Sequence, residues 1–188
     1  MRELSMHILD VLENALEAGA TRVELNVTED LASDRLVIEV QDNGRGMDAE
    51  TAQRAADPFY TTRTTRHVGL GLPLLKAAAE RCGGGLTLVS AVGEGTQVRA
   101  TFRHGHLDRV PLGRMADTLL AFLMSEKKAQ LVYRHWVGGG VFELDTAEIE
   151  AELDGIPLTH PRVRDWLHET IVDGEAGLRL LSEPIRER

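Results

Sequence analysis

The sequence predicts an α/β chain. Segments with apolar residues at i, i+3, i+4 and i+7 alternate with short segments in which every second residue is apolar. Glycine clusters and an Asp-Asn-Gly turn stand where the two periodicities meet. A hydrophobic fraction of 43% is enough for a packed core, and 27% charged residues keep the 188-residue chain in solution. Together these exclude a disordered chain and a small disulfide scaffold.

Residues 3–18 form the first predicted helix. Ile8, Leu9, Val11, Leu12, Ala15 and Leu16 make its apolar face, and Gly19 ends it. Glu3, His7, Asp10, Asn14 and Glu17 run along the other side in steps of four and three. Taken alone, such a stripe reads as a solvated helix face. Residues 22–28 and 36–41 alternate as strands around a polar hairpin loop, and Asp42-Asn43-Gly44-Arg45-Gly46 breaks the second one. Residues 48–56 predict a short helix capped by Asp48. Residues 57–68 read as a polar loop. Residues 70–81 read as a helix, with Pro73 in its first turn. Residues 86–90 and 96–103 predict strands joined through Gly93-Glu94-Gly95.

After about residue 105 the pattern changes. A helix over 112–124 precedes a hairpin, 131–137 and 141–144, turning on Gly138-Gly139-Gly140. A helix over 146–153 capped by Asp145 and a last helix over 162–172 complete the chain. No Ser/Pro-rich linker separates the parts. The expected organisation is one domain over 1–105 and an α+β extension over 106–188 packed on it.

Lys+Arg 21 against Asp+Glu 30 leaves a net charge of −9, which argues against nucleic-acid or anionic-membrane partners. Any anionic ligand must therefore be held by local groups. The single cysteine, Cys82, cannot form an internal disulfide. No run reaches the roughly 18 apolar residues of a membrane span, and the N-terminal residues lack a signal-peptide pattern. The expected compartment is the cytoplasm.

Four features stand in order along the chain: Asp10 and Asn14 one helical turn apart; Asp42-Asn43-Gly44-Arg45-Gly46 at a strand end; Asp57-Pro58-Phe59-Tyr60-Thr61-Thr62-Arg63; and Gly69-Leu70-Gly71 opening a helix. Each is weak alone. Gly69 and Gly71 permit close backbone approach where free N–H groups and the helix dipole favour phosphate. Asp42 can accept a hydrogen bond from an exocyclic amine, and Gly44 and Gly46 leave room for a flat ring. Asp10 and Asn14 offer hard oxygens to Mg²⁺. Arg66 and His67 join Arg63 in a basic cluster just before the glycines, read either as ordinary loop charge or as a contact for a terminal phosphate. No Walker pattern occurs, and no strand immediately precedes Gly69 as a Rossmann fingerprint requires.

This order of motifs resembles the GHKL ATPases, the superfamily of gyrase, MutL mismatch-repair proteins, histidine kinases and anti-sigma-factor kinases. The N box is matched by Asp10-Val11-Leu12-Glu13-Asn14-Ala15 and the first glycine box by Asp42 to Met47. Residues 57–63 resemble the kinase-type F box, and Gly69-Leu70-Gly71-Leu72 the second glycine box. Gly93-Glu94-Gly95-Thr96 before a strand also fits. The resemblance implies a two-layer α/β sandwich of the Bergerat type that holds Mg-ATP. It implies Mg²⁺ on Asn14 and the adenine amine on Asp42. Gly44, Gly46, Met47, Gly69, Leu70 and Gly71 would shape the pocket and phosphate cradle, with Thr96 near the adenine end. Arg63 or Arg66 would meet the terminal phosphate, and Asp10 would orient water or an acceptor hydroxyl. Three positions depart from the family: Asp10 replaces a longer Glu, Arg63 replaces a common Lys, and His67 replaces a glycine.

Only a handful of residues precede the N box, so no phosphoacceptor hairpin is expected within this chain. A kinase would then act on a partner in trans. Hydrolysis, phosphotransfer and nucleotide sensing all stay open, as does a homodimer. The tail phrase Glu152-Leu153-Asp154-Gly155-Ile156-Pro157-Leu158 resembles small freestanding ATP-binding proteins associated with iron-hydrogenase subunits. That implies a protein partner in redox metabolism. Trp136 and Trp166 are expected in the core or packing the tail, and Cys82 as a small buried residue.

Overall fold

The computed structural model describes residues 3–57 and 71–182. Helix α1 (Leu4–Glu17) leads into β1 (Arg22–Asp30), β2 (Arg35–Asp42) and the short α2 (Ala49–Arg54). Then follow α3 (Gly71–Arg81), β3 (Gly85–Ala91), β4 (Gly95–Arg103) and α4 (Met115–Leu123). β5 (Gln130–Val137), β6 (Gly140–Asp145), α5 (Thr146–Glu152) and α6 (Pro161–Ser182) complete it. The strands make one mixed sheet in the order β3-β4-β2-β1-β5-β6. Every pairing is antiparallel except that of β1 with β5.

Alternation decides which sheet face is buried. Val23, Leu25 and Val27 of β1, Leu36, Ile38 and Val40 of β2, and Val98, Ala100 and Phe102 of β4 are all buried. Leu131 and Tyr133 continue that face into β5. A helical layer covers it: α1 lies between α3 and α4, and α4 packs on α6. The other face carries a charged row in register. Arg99 pairs with Glu39 at 2.8 Å and Arg134 with Glu143 at 2.8 Å. This is the two-layer α/β arrangement the motif order implied, with one sheet shared by both parts of the chain.

Both ends of α1 are tied to later segments. Its first turn has no side-chain cap. Instead Leu4 N and Ser5 N donate to Pro111 O and Leu112 O at 3.0 and 2.7 Å, which satisfies two of the free N–H groups of the helix start. Thr118 Oγ1 of α4 donates to Ser5 O at 3.3 Å. Past the other end, Gln130 N of β5 donates to Thr21 O at 2.9 Å. Asp48 and Asp145 cap α2 and α5 as their positions predict, accepting from Thr51 N and Ala147 N.

Three expectations are corrected. The polar stripe of α1 is solvated only at its end: Glu17 is exposed, but His7 is buried and Glu3, Asp10 and Asn14 are half-buried. The last helix runs ten residues past 172, continuing through Gly174, against which the Phe142 ring packs, and Gly177. Trp166 is 48% exposed on the outer face of α6, while Trp136 is half-buried on the charged sheet face.

Candidate functional site

α1, the loop after β2, and the β3–β4 hairpin converge on a cavity of about 510 Å³. Val11 and Asn14 of α1, Asp42 at the end of β2, Met47, Leu72 of α3 and Thr96 of β4 contribute to its walls. That volume lies in the range of small-molecule and cofactor sites.

Tight backbone packing builds the site. Asn43 accepts Thr21 N and Arg22 N at 2.9 Å each, and its amide donates to Thr21 Oγ1 at 2.9 Å. These bonds lock the turn after β2 onto the start of β1. Arg45 N donates to Ala18 O, its guanidinium to Glu17 O at 2.9 Å, and its carbonyl accepts Gly93 N at 2.8 Å. One residue thus joins the end of α1, the loop and the hairpin. Gly46 sits at φ 65°, where a Cβ would lie 1.8 Å from Ala91 O. Only glycine permits that approach. A Cβ on Gly44 would meet Ala18, and one on Gly71 would lie 2.7 Å from Asp10 Cβ. The first residue of α3 is therefore seated directly on Asp10.

Asp42 Oδ1 accepts Gly44 N at 2.8 Å. Burial nevertheless raises its carboxyl above the ordinary aspartate value, outweighing the Gly44 and Thr96 amides that lower it. Thr96 is its cross-strand partner, and both face the cavity. Burial also lowers the imidazole of His7, whose Nδ1 finds no hydrogen-bond partner among the described residues.

Of the residues singled out in the sequence, Asn14, Asp42, Gly46, Met47 and Thr96 line the cavity. Asp10, Gly44 and Gly71 are not among the described residues that line it: Gly44 packs against Ala18 and Asp42, which do, while Asp10 and Gly71 pack on each other. Arg63, Arg66, His67, Gly69 and Leu70, with the F-box positions 58–63, lie outside the described residues. Cys82 is buried at the end of α3. His104 pairs with Glu29 at 2.5 Å. Sequence reading missed Arg45 and Ser90 as supports of the site. Ser90 lies in an ordinary strand pattern, so no local signal marks it.

The half-buried end of β2 faces α1 across a cavity that Gly46 helps line, in a two-layer α/β sandwich. The family model described as "Histidine kinase-, DNA gyrase B-, and HSP90-like ATPase" matches residues 2–106, and the chain belongs to this family. The sensor histidine kinase YxdK of Bacillus subtilis is 37% identical over 106 residues, 53% of this chain and 32% of that protein. A protein of Shewanella frigidimarina described as a putative sensor protein is 31% identical over 103 residues, 54% of this chain and 16% of its own length. The chain thus spans less than a third of either relative. The N-terminal domain of a DNA repair protein superposes with a TM-score of 0.50 at 15% identity, covering 77% of this chain and 52% of that one. It shares the fold. Among the described residues no helix is long and apolar enough to cross a membrane.

Proposed function

We propose that this chain is a cytoplasmic Mg-ATP-binding regulatory protein that hydrolyses ATP slowly or phosphorylates a partner protein in trans. The observation that carries this reading is the cavity of about 510 Å³ in which Asn14 of α1 faces Asp42 and Thr96 of the sheet. An amide oxygen, a half-buried carboxylate at a strand end and a glycine-shaped backbone suit a metal-bound phosphate at one end and an amino-substituted base at the other.

In this reading Asp42 accepts the adenine amine. Gly44, Gly46 and Met47 border the ring, and Gly69, Leu70 and Gly71 offer backbone N–H groups to phosphate. Asn14 holds Mg²⁺, which when bound neutralises charge on the phosphate oxygens. Arg63 and Arg66 add positive charge near the terminal phosphate. Asp10, seated against Gly71, orients water or an acceptor hydroxyl. The nucleotide-binding unit spans 1–105, and the extension 106–188 serves a protein partner, of the redox or hydrogenase-subunit type.

A second reading is a non-catalytic ATP sensor whose 57–68 loop gates partner binding. It is favoured by the extension's hold on the start of α1, through Pro111 and Leu112, and on Thr21 in the turn after it, through Gln130. Nucleotide-driven movement of α1 would then reach the extension directly.

Thermal shift and ATP turnover with Mg²⁺, for wild type, Asn14→Ala and Asp42→Asn, test the proposal. Stabilisation by ATP is expected in the wild type, with affinity reduced about ten-fold or more in each variant. No stabilisation of the wild type by Mg-ATP would sink both readings. Asp10→Asn separates them: lost turnover with binding retained supports catalysis, and unchanged partner regulation supports the sensor.

A further inference from the structure

We propose that Ser90 is a positioning residue: it fixes the Thr96 hydroxyl as a hydrogen-bond acceptor toward the cavity and so makes the site prefer a 6-amino purine to a 6-oxo purine. The inference rests on the nucleotide reading above and adds a determinant of base selection.

Ser90 lies in β3 directly opposite Thr96 of β4. Its Oγ has three polar neighbours: Met47 N at 2.9 Å, Gly95 O at 2.8 Å and Thr96 Oγ1 at 2.9 Å. A hydroxyl has one hydrogen and two lone pairs. Met47 N–H can only donate, so it takes one lone pair. Gly95 O can only accept, so it takes the single hydrogen. One lone pair is left, and Thr96 must donate to it. All three bonds form together in this arrangement alone.

The consequence falls on Thr96. Its one hydrogen points at Ser90, so only lone pairs remain for a ligand. Thr96 borders the cavity beside its strand partner Asp42, whose carboxylate is also an acceptor. That end of the cavity therefore presents two acceptors and no side-chain donor from this pair. A 6-amino group brings two hydrogens. A 6-oxo purine brings one ring N–H and a carbonyl, so one acceptor is left facing a lone pair. Leaving a desolvated acceptor unpaired is where hydrogen-bonding sites gain discrimination. Without Ser90 the Thr96 hydroxyl can rotate and donate to the carbonyl, and the preference shrinks.

Calorimetric titration of Mg-ATP and Mg-ITP onto wild type, Ser90→Ala, Thr96→Val and the double variant tests this. ITP differs from ATP in the 6-oxo group. Wild type is expected to prefer ATP by about ten-fold or more. Ser90→Ala should cut the ATP:ITP ratio toward one, Thr96→Val should cut it similarly, and the double variant should lose no more than Thr96→Val alone. A purely structural role for Ser90 weakens both nucleotides by one factor and leaves the ratio unchanged; that result overturns the inference while the nucleotide reading stands. If Ser90→Ala does not fold, Thr96→Val decides, since an unchanged ratio there removes the acceptor role itself. Wild type that binds neither nucleotide overturns both proposals.

Discussion

Gly46 and Gly95 show how single positions support the site. Both have positive φ, 65° and 88°, and a Cβ on either would fall within 2 Å of a backbone carbonyl, Ala91 O or Asp42 O. Backbone cannot step aside as a flexible side-chain tip can. Gly46→Ala is therefore expected to destabilise the chain by roughly 2 kcal/mol or more in urea unfolding, and to weaken ATP binding along with it. The glycine pattern around Asp42 was legible in the sequence because each glycine belongs to a local turn. Ser90 was not. Its partners Met47, Gly95 and Thr96 come from two other segments, brought to one oxygen by the β3–β4 register and by the packing of the loop after β2.

At the scale of elements, α6 separates two glycines that look alike in sequence. A Cβ on Gly174 would lie 2.3 Å from the Phe142 ring, whereas one on Gly177 meets nothing within 4 Å. Helix propensity favours alanine at both by up to about 1 kcal/mol. Gly177→Ala should therefore raise the urea midpoint. Gly174→Ala should lower it, with overpacking costing roughly 1–3 kcal/mol. Helix existence and type were readable from periodicity along the whole chain. The end of α6 was not: the helix continues through Gly174 and Gly177, two poor helix formers that local propensity does not favour there. The start of α1 has the same character: its cap is the backbone of Pro111 and Leu112, which no sequence motif announces.

Across the whole molecule, a buried ionic chain joins the first half to the extension. His135 of β5 lies between Glu175 of α6, 3.0 Å from Nδ1, and Glu29 of β1, 3.1 Å from Nε2. Tyr133 donates to Glu175 at 2.6 Å, and His104 closes the chain on Glu29. Burial opposes charge on His135, but the hydrogen bonds and charges of Glu175 and Glu29 win and raise it from 6.5 to about 9. The bond to His135 lowers Glu29 from 4.5 to about 2, against burial, with His104 adding to the shift. The signs define a window. A raised histidine stabilises fully below 6.5 and loses that contribution as pH rises to about 9. A lowered glutamate stabilises above 4.5 and loses its contribution as pH falls toward about 2. For this group of residues, urea unfolding should show greatest stability between these flanks, with a decline toward pH 9. Glu175→Gln should cost roughly 3 kcal/mol at pH 6, as breaking buried pairs does, and flatten the alkaline decline. A variant with an unaltered alkaline slope would refute the assignment.

Local order along the chain determined the family, the helix and strand types and the placement of Asn14, Asp42 and Thr96 in their motifs. Those features rest on periodicity, turn chemistry and spacing, which act within a few residues. Tertiary structure alone decided that His7 is buried, that Asp10 is seated under Gly71, and that Glu29, His135 and Glu175 meet. It also decided the parallel pairing of β1 with β5, which draws the extension into the same sheet. Such contacts join residues up to about a hundred positions apart, and their energies depend on burial and proton placement that only the packed core sets.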